Sequence, residues 1–490
     1  MKKSIRLAVL LMGVMPVWSE LLAEDSSFFR ADRGVTARDD RPLPDRFDSA
    51  DVLMWRQPLA PGHSTPCVHG DAIYLSTFDR DRLHTVSLDR ATGKIRWSQT
   101  VQTDRSEPYH STGSPASPTP ACDGKRVYSF FGSYGLLCYD LQGKLLWSKP
   151  MGPFQDEFGS ASSPVLVDGK LLINQDHDLN NFLLCVDSAT GKTLWQTPRE
   201  GFTRSYSTPI VWDGVSAGKR GKKLVIVAGA LRLTGYDLET GKQLWSVDGL
   251  ARIVNTTPVV AGGLLVVATW SPGGDSDARI TMEPWEVAVK QWDKNADGKL
   301  TREEANNKEV LDRFYRIDLN QDQGIDRDEW GKYARVFELA RNSVMALRLS
   351  DTAGEASGPA AAATPQLLWK YERGIPYVSS PLVYRDTIFV VKDGGIVTSL
   401  TPDTGRMIKQ ARVAGTGSYY SSPVAGDGKV FIVSERGVLS VLQAAGDWEV
   451  ISSHDFGERT VATPVISDGK IYVRTEQALY CFAIRSKDKQ

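Results

Sequence analysis

The chain has 490 residues, 41% of them hydrophobic, enough for one large or two ordinary domains with a well-buried core. Its formal charge is −1, and acids and bases are mixed along the whole length. With no basic stripe, nucleic-acid binding has no electrostatic support.

Residues 1–23 predict a cleavable secretory signal. Lys2, Lys3 and Arg6 form a positive start, Leu7 to Val17 form an apolar stretch too short to span a bilayer, and Leu-Leu-Ala offers a cleavage point after Ala23. No cysteine follows the apolar stretch, so a lipid anchor is not expected, and no later segment is apolar enough to cross a membrane. The mature chain is therefore expected to be periplasmic or secreted, and monomeric. Residues 24–50 read as a linker.

Next comes "ADVLMW", a strand ending in Trp55 with no repeat of its own before it. From there a Thr/Ser-Pro step followed by a β-rich run recurs eight times, as in "STPCVHGDAIYL", "SSPVLVDGKLLI" and "ATPVISDGKIYV". The prolines are Pro66, Pro120, Pro164, Pro209, Pro258, Pro381, Pro423 and Pro464, spaced 41 to 54 residues apart except for one gap of 123. Most anchors are followed by an Asp, a Gly-containing turn and a strand ending in Trp, such as "DRATGKIRW" or "DSATGKTLW". These Trp residues are Trp97, Trp147, Trp195, Trp245 and, in "PQLLW", Trp369. In the sixth repeat Lys409 stands where Trp is expected, and in the seventh Trp448 is slightly out of register.

A period near 45 residues with four short strands per unit predicts propeller blades. The fold class expected is all-β: an eight-bladed β-propeller of four-stranded antiparallel blades, with a small α-helical insertion in blade five. The eighth repeat lacks a fourth strand, so the segment at 52–56 is expected to complete it and close the ring. The propeller then occupies 51–278 and 341–484, the insertion 279–340, and a short tail 485–490.

Inside the insertion the β-pattern gives way to helical text carrying two twelve-residue loops of EF-hand spacing. The first, "DKNADGKLTREE", offers Asp293, Asn295, Asp297, the Lys299 carbonyl, Thr301 through water, and Glu304, with Gly298 at the sharp turn. The second, "DLNQDQGIDRDE", offers Asp318, Asn320, Asp322, the Gly324 carbonyl, Asp326 and Glu329. Here Gln323 replaces the turn glycine, at a left-handed cost on the order of 1–2 kcal/mol, so the second site is expected to be weaker. Leu300 and Ile325 stand where the two loops pair. Two calcium ions are the expected cofactors, in a structural or docking role. The run "TAGEASGPAAAATP" after Ser350 reads as a flexible loop.

The anchors and Trp turns resemble the PQQ-like β-propeller repeat family, which includes quinoprotein alcohol dehydrogenases and the propeller protein BamB of outer-membrane assembly. The dehydrogenase resemblance would imply a quinone in the channel, a channel calcium, an adjacent Cys–Cys ring and a stacking Trp. This chain has Cys67, Cys122, Cys138, Cys185 and Cys481, no two adjacent, and its Trp residues fall at blade edges. Quinone is therefore not expected. The cysteines read as small buried residues, with a Cys67–Cys122 disulfide left open.

No catalytic motif is present, and His177 in "QDHDLNN" reads as part of a solvated turn. Residues just before the anchors are expected to line one mouth of the channel: His63, His110, Arg204, Tyr206, Arg252, Tyr377, Tyr419, Tyr420 and Arg459. The reading adopted is a non-catalytic binding scaffold, whose partner is another envelope or extracellular protein or a glycan. A quinoprotein oxidoreductase and a carbohydrate-binding or lyase-type propeller are the alternatives.

Overall fold

A glycine turn and an apolar alternation in each repeat give three strands that bury both faces and a fourth with an exposed outer edge. In the computed structural model these form eight four-stranded antiparallel sheets, each in simple up-and-down order. The structure describes residues 25–30, 41–103, 107–201, 203–216, 219–349 and 364–485. The predicted signal at 1–23 lies outside the described residues, as do nearly all of the Ala/Gly/Pro run and the tail. Blade one consists of Cys67–His69, Ala72–Asp79, Arg82–Asp89 and Ile95–Gln102, and the later blades repeat it. Blade eight borrows its fourth strand: Leu53–Pro58 pairs antiparallel with Ala478–Ala483, Trp55 opposite Cys481. The fold is an eight-bladed β-propeller closed by its first strand.

The outer-strand tryptophans of five blades bind each of these to the next. Trp55, Trp97, Trp147, Trp195 and Trp369 donate their indole N–H to a backbone carbonyl in the following blade's turn, at 2.8 to 3.3 Å. The register explains the two weak repeats. Lys409 opposes Ser399 as Trp97 opposes Ser87. Its ammonium then performs the indole's task, donating to the Trp448 carbonyl at 2.6 Å and lying 4.9 Å from the Trp448 ring. In blade seven the same position falls on Ser452, and Trp448 is instead buried ahead of the strand.

The turn glycines sit under these rings. A Cβ on Gly405, whose φ is +66°, would lie 2.4 Å from the Trp369 ring, whereas one on Gly169, at φ +71°, meets nothing within 4 Å. Gly405→Ala is therefore expected to lose about 2–4 kcal/mol, backbone strain plus overpacking, and Gly169→Ala only about 1–2 kcal/mol. Urea midpoints of the two variants check this.

The described parts of the expected linker are not extended spacer. Leu43 and Phe47 are buried in the blade seven–eight core. Ser26 exchanges both backbone hydrogen bonds with Val68 on an inner strand, and Cys122 N–H donates to the Ser27 carbonyl at 2.8 Å. Residues 25–30 thus enter the channel and cross the inner strands of blades one and two.

Blade five is interrupted between its second and third strands, Leu264–Thr269 and Ser343–Arg348. The interruption holds four helices, α1 (Trp285–Trp292), α2 (Lys308–Leu311), α3 (Phe314–Ile317) and α4 (Arg327–Leu339). They enclose a core of their own around Trp292, Phe314, Ile317, Trp330 and Phe337. The arm's base is stapled by Asn342, which bonds both backbone groups of Ser271 at 2.9 Å.

Candidate functional site

The residue before each anchor proline carries a hydroxyl, and the hydroxyls join the blades. Thr65 N–H donates to Thr119 Oγ1, Thr119 to Ser163, Ser163 to Thr208, Thr208 to Thr257, Thr257 to Ser380, Ser380 to Ser422 and Ser422 to Thr463, at 2.9 to 3.3 Å. The repeat thus encodes a ring of hydroxyls around the channel. Above it opens a cavity of about 380 Å³, with Phe29 of the entering N-terminal segment, Phe158, Tyr206, Tyr377, Tyr420, His63 and His110 among its lining residues.

Five of the nine expected mouth residues, His63, His110, Tyr206, Tyr377 and Tyr420, line this cavity; four do not. Arg204 turns away to clasp Asp178 at 2.5 and 2.8 Å and Glu157 at 2.5 Å. Arg252 is buried beneath the arm, 5.8 Å from the Phe337 ring. Tyr419 lies in the blade six–seven core and donates its hydroxyl to the Gly415 carbonyl at 2.8 Å. Arg459 is occupied by Glu435 and Glu476 at 2.9 and 2.6 Å. Each buried cation finds a carboxylate or a ring distant in sequence, which outweighs mere proximity to the mouth.

Among the described lining residues there is no Asp, Glu, Lys, Arg or Cys. Burial, with Arg459 and Arg474 nearby, pushes His63 down to about 3, so it is neutral across the physiological range. His177 is not in a solvated turn. It is buried, its ring 4.6 Å from that of Phe154, because its acidic neighbours Asp176 and Asp178 are consumed by Arg199 and Arg204.

On the arm, the two twelve-residue loops are near copies. Leu300 pairs with Ile325 across them. Both turn left-handed at the fourth and sixth positions: Ala296 and Gly298 at φ +57° and +79°, Gln321 and Gln323 at +58° and +72°. The first-position carboxylates accept the sixth-position N–H, Gly298 to Asp293 and Gln323 to Asp318, both at 3.0 Å. Glu304 accepts from Thr301 N–H and Glu329 from Leu319 N–H, at 3.0 and 2.8 Å. In this arrangement the carboxylates serve backbone amides, and among the described residues no three His, Cys, Asp or Glu side chains converge as a metal cluster. One oxygen stands apart: Asp293 Oδ1 is buried with no hydrogen-bond partner. Asn295, Asp297, Lys299, Asn320, Asp322 and Gly324 lie along the same loops, with Lys299 Nζ paired to Asp322.

The arm leans on the propeller through its second loop. Arg316 of α3 binds Glu157 at 2.8 and 3.2 Å, and Gln155 Nε2 donates to the Leu319 carbonyl at 2.7 Å.

A family model described as outer membrane protein assembly factor BamB matches residues 47–207, 179–301 and 337–490. The chain belongs to this PQQ-like propeller family. No curated protein sequence matches it significantly. BamB from Moraxella catarrhalis superposes with a TM-score of 0.50 at 10% identity, covering 89% of this chain and 100% of that one. Quinohemoprotein alcohol dehydrogenase from Comamonas testosteroni gives 0.51 at 14% identity, covering 95% and 81%. The computationally designed Ika8 protein gives 0.52 at 10%, covering 89% and 100%. At these identities the likeness is one of fold.

Beyond the family pattern, sequence reasoning missed Phe158, Asp156 and the hydroxyl ring itself, although the hydroxyl's recurrence before every proline was a signal for the last. Asp156 accepts the Phe158 N–H and the Tyr206 hydroxyl at 2.7 and 2.8 Å, so it fixes two lining residues of this BamB-family channel. Burial, with Asp178 close by and Arg204 only partly opposing it, pushes its carboxyl up to about 7. The folded value lies above that of the unfolded chain, so the native state retains the proton between about pH 4 and 7 and stability falls as pH rises through that window. Asp156→Asn is expected to flatten this slope in urea midpoints measured from pH 4 to 8, with wild type and variant diverging toward high pH.

Proposed function

We propose that the protein is an exported, non-catalytic member of the BamB family that holds another envelope protein at its channel mouth and carries two calcium ions in its inserted arm. The observation that carries the first part is the chemistry of the mouth. It is an aromatic rim over neutral hydroxyls, with the half-buried His63 held uncharged. Oxidation of an alcohol needs a general base within reach of the substrate hydroxyl, and the described lining residues include no carboxylate; Asp156 stands behind the wall, its Oδ1 accepting from the Phe158 N–H and the Tyr206 hydroxyl. Tyr and Phe in a shallow pocket instead suit an apolar or aromatic anchor of a partner segment. A photo-crosslinking residue placed at Tyr377 or Tyr420 is expected to capture one defined envelope protein, while one at the outer-strand residue Ile95 is not. Turnover of an alcohol with added quinone, Ca²⁺ and a dye acceptor would overturn the reading.

Calcium is supported by the donor set and by the unpartnered Asp293 Oδ1. Hard oxygen ligands at the first, third, fifth, seventh and twelfth positions suit this ion. The wild type is expected to take up two Ca²⁺ in calorimetry. Glu304→Gln should remove one and Glu329→Gln the other, with the second loop about tenfold weaker because Gln323 bears the left-handed strain. Absence of uptake at millimolar Ca²⁺ sinks the claim.

A further inference from the structure

Phe158 is held from both sides. One side belongs to the channel cavity, where its ring lies 5.5 Å from that of His110 and 6.1 Å from that of Tyr206. The other belongs to the arm, whose Arg316 guanidinium lies 5.5 Å from the same ring while bonding Glu157 next to it. Arg316 stands two residues before Asp318, the first position of the second loop. The following peptide is a second grip. The Leu319 carbonyl accepts from Gln155 Nε2 at 2.7 Å, and the Leu319 N–H donates to Glu329 Oε1 at 2.8 Å. The segment 155–158 is thus tied at two points to the arm: at Arg316, just ahead of the second loop, and at Leu319, in the stretch that the twelfth-position carboxylate orders. Among the described residues, the first loop makes no hydrogen bond or ion pair to the propeller.

We propose that Arg316 is a positioning residue through which occupancy of the second loop by Ca²⁺ sets the placement of Phe158 at the channel mouth. The inference rests on the calcium reading above. The element with two states is Glu329. Either its Oε1 serves the Leu319 and Asn320 amides, at 2.8 and 3.1 Å, while Oε2 accepts from Asp326 N–H at 3.1 Å, or the carboxylate turns to the metal and frees the Leu319 and Asn320 amides. That exchange shifts the peptide that Gln155 holds and the helical turn that carries Arg316. Coupling of this kind requires a discrete element that both sites bias, and here the contacts are contiguous. Calcium at the second loop is expected to order the mouth, and calcium at the first to leave it unchanged.

Hydrogen exchange read by mass spectrometry on the full chain tests this without a known mouth ligand. Millimolar Ca²⁺ is expected to slow exchange in peptides covering 153–160 at least fivefold over chelated protein, both in wild type and in Glu304→Gln. The calcium effect should vanish in Glu329→Gln, Arg316→Ala and, from the propeller side, Glu157→Gln, while Val438–Gln443 in blade seven stays unaffected throughout. Two Ca²⁺ bound by calorimetry with unchanged exchange at 153–160 overturns the coupling and leaves the calcium reading standing. No calcium bound overturns both. A calcium response that persists in Arg316→Ala and Glu157→Gln removes Arg316 from the role.

Discussion

Arg199→Met is expected to cost about 3–5 kcal/mol, among the largest single-residue losses available in this propeller. Arg199 and Asp176 are both fully buried and meet in a fork, Nε to Oδ1 at 2.6 Å and Nη2 to Oδ2 at 2.8 Å. The remaining nitrogen donates to Thr234 Oγ1 at 3.0 Å and to the Tyr236 hydroxyl at 2.5 Å, tying blade three to blade four. Methionine fills the volume but strands a carboxylate where water cannot reach it. Asp176→Asn added to Arg199→Met removes that charge, so the double variant should recover most of the loss. Urea unfolding of the two single variants and the double closes the cycle. If Arg199→Met alone shifts the midpoint no more than a surface change such as Arg327→Ala, the pair is not buried as described.

The contrast between Arg199 and the mouth residues shows which parts of the site the chain text could reveal. Blade number, the tryptophan docking and the borrowed strand are legible because each is a local chemical pattern repeated many times. Lys409 is a substitution within that pattern, and the register turns an apparent defect into the same contact made by an ammonium. The direction of a single side chain is a different matter. Arg204, Arg252, Tyr419 and Arg459 all stand near an anchor, but partners far away in sequence decide where they point. Asp178 and Glu157 come from loops of blades two and three, Phe337 from the inserted arm, and Glu435 and Glu476 from the neighbouring blades. His177 misleads for the same reason, since two flanking acids look solvated until their arginines arrive from the next connection. The packing of Leu43 and Phe47 is likewise unreadable in a stretch with no repeat to compare it with.

Removing Leu53–Pro58 is expected to abolish the folded monomer, because this strand completes the hydrogen-bonded eighth blade that meets blade one. It supplies the outer strand of blade eight, with Arg56, Gln57 and Pro58 opposite Tyr480, Leu479 and Ala478. It also carries the Trp55 indole, which donates to the Arg90 carbonyl of blade one at 3.3 Å and covers Gly93. The backbone seal continues past its start, where Ala483 N–H donates to the Val52 carbonyl at 2.9 Å. Without the strand, Ala478–Ala483 becomes an open edge beside the buried Leu479, Cys481 and Phe482, a template for pairing with another chain. Trp55→Ala keeps the hydrogen-bonded strand and removes only the half-buried indole, so it should cost about 2–3 kcal/mol, less than truncation of a fully buried Trp, without opening the ring. The two variants separate hydrogen-bonded closure from aromatic docking. Size-exclusion and thermal melting are expected to show aggregation for the truncation and a lowered, still cooperative transition for Trp55→Ala. A chain lacking only Leu53–Pro58 that stayed monomeric with an unchanged melting temperature would mean that the eighth blade is complete without its borrowed strand, and the ring would then need another explanation for why it closes.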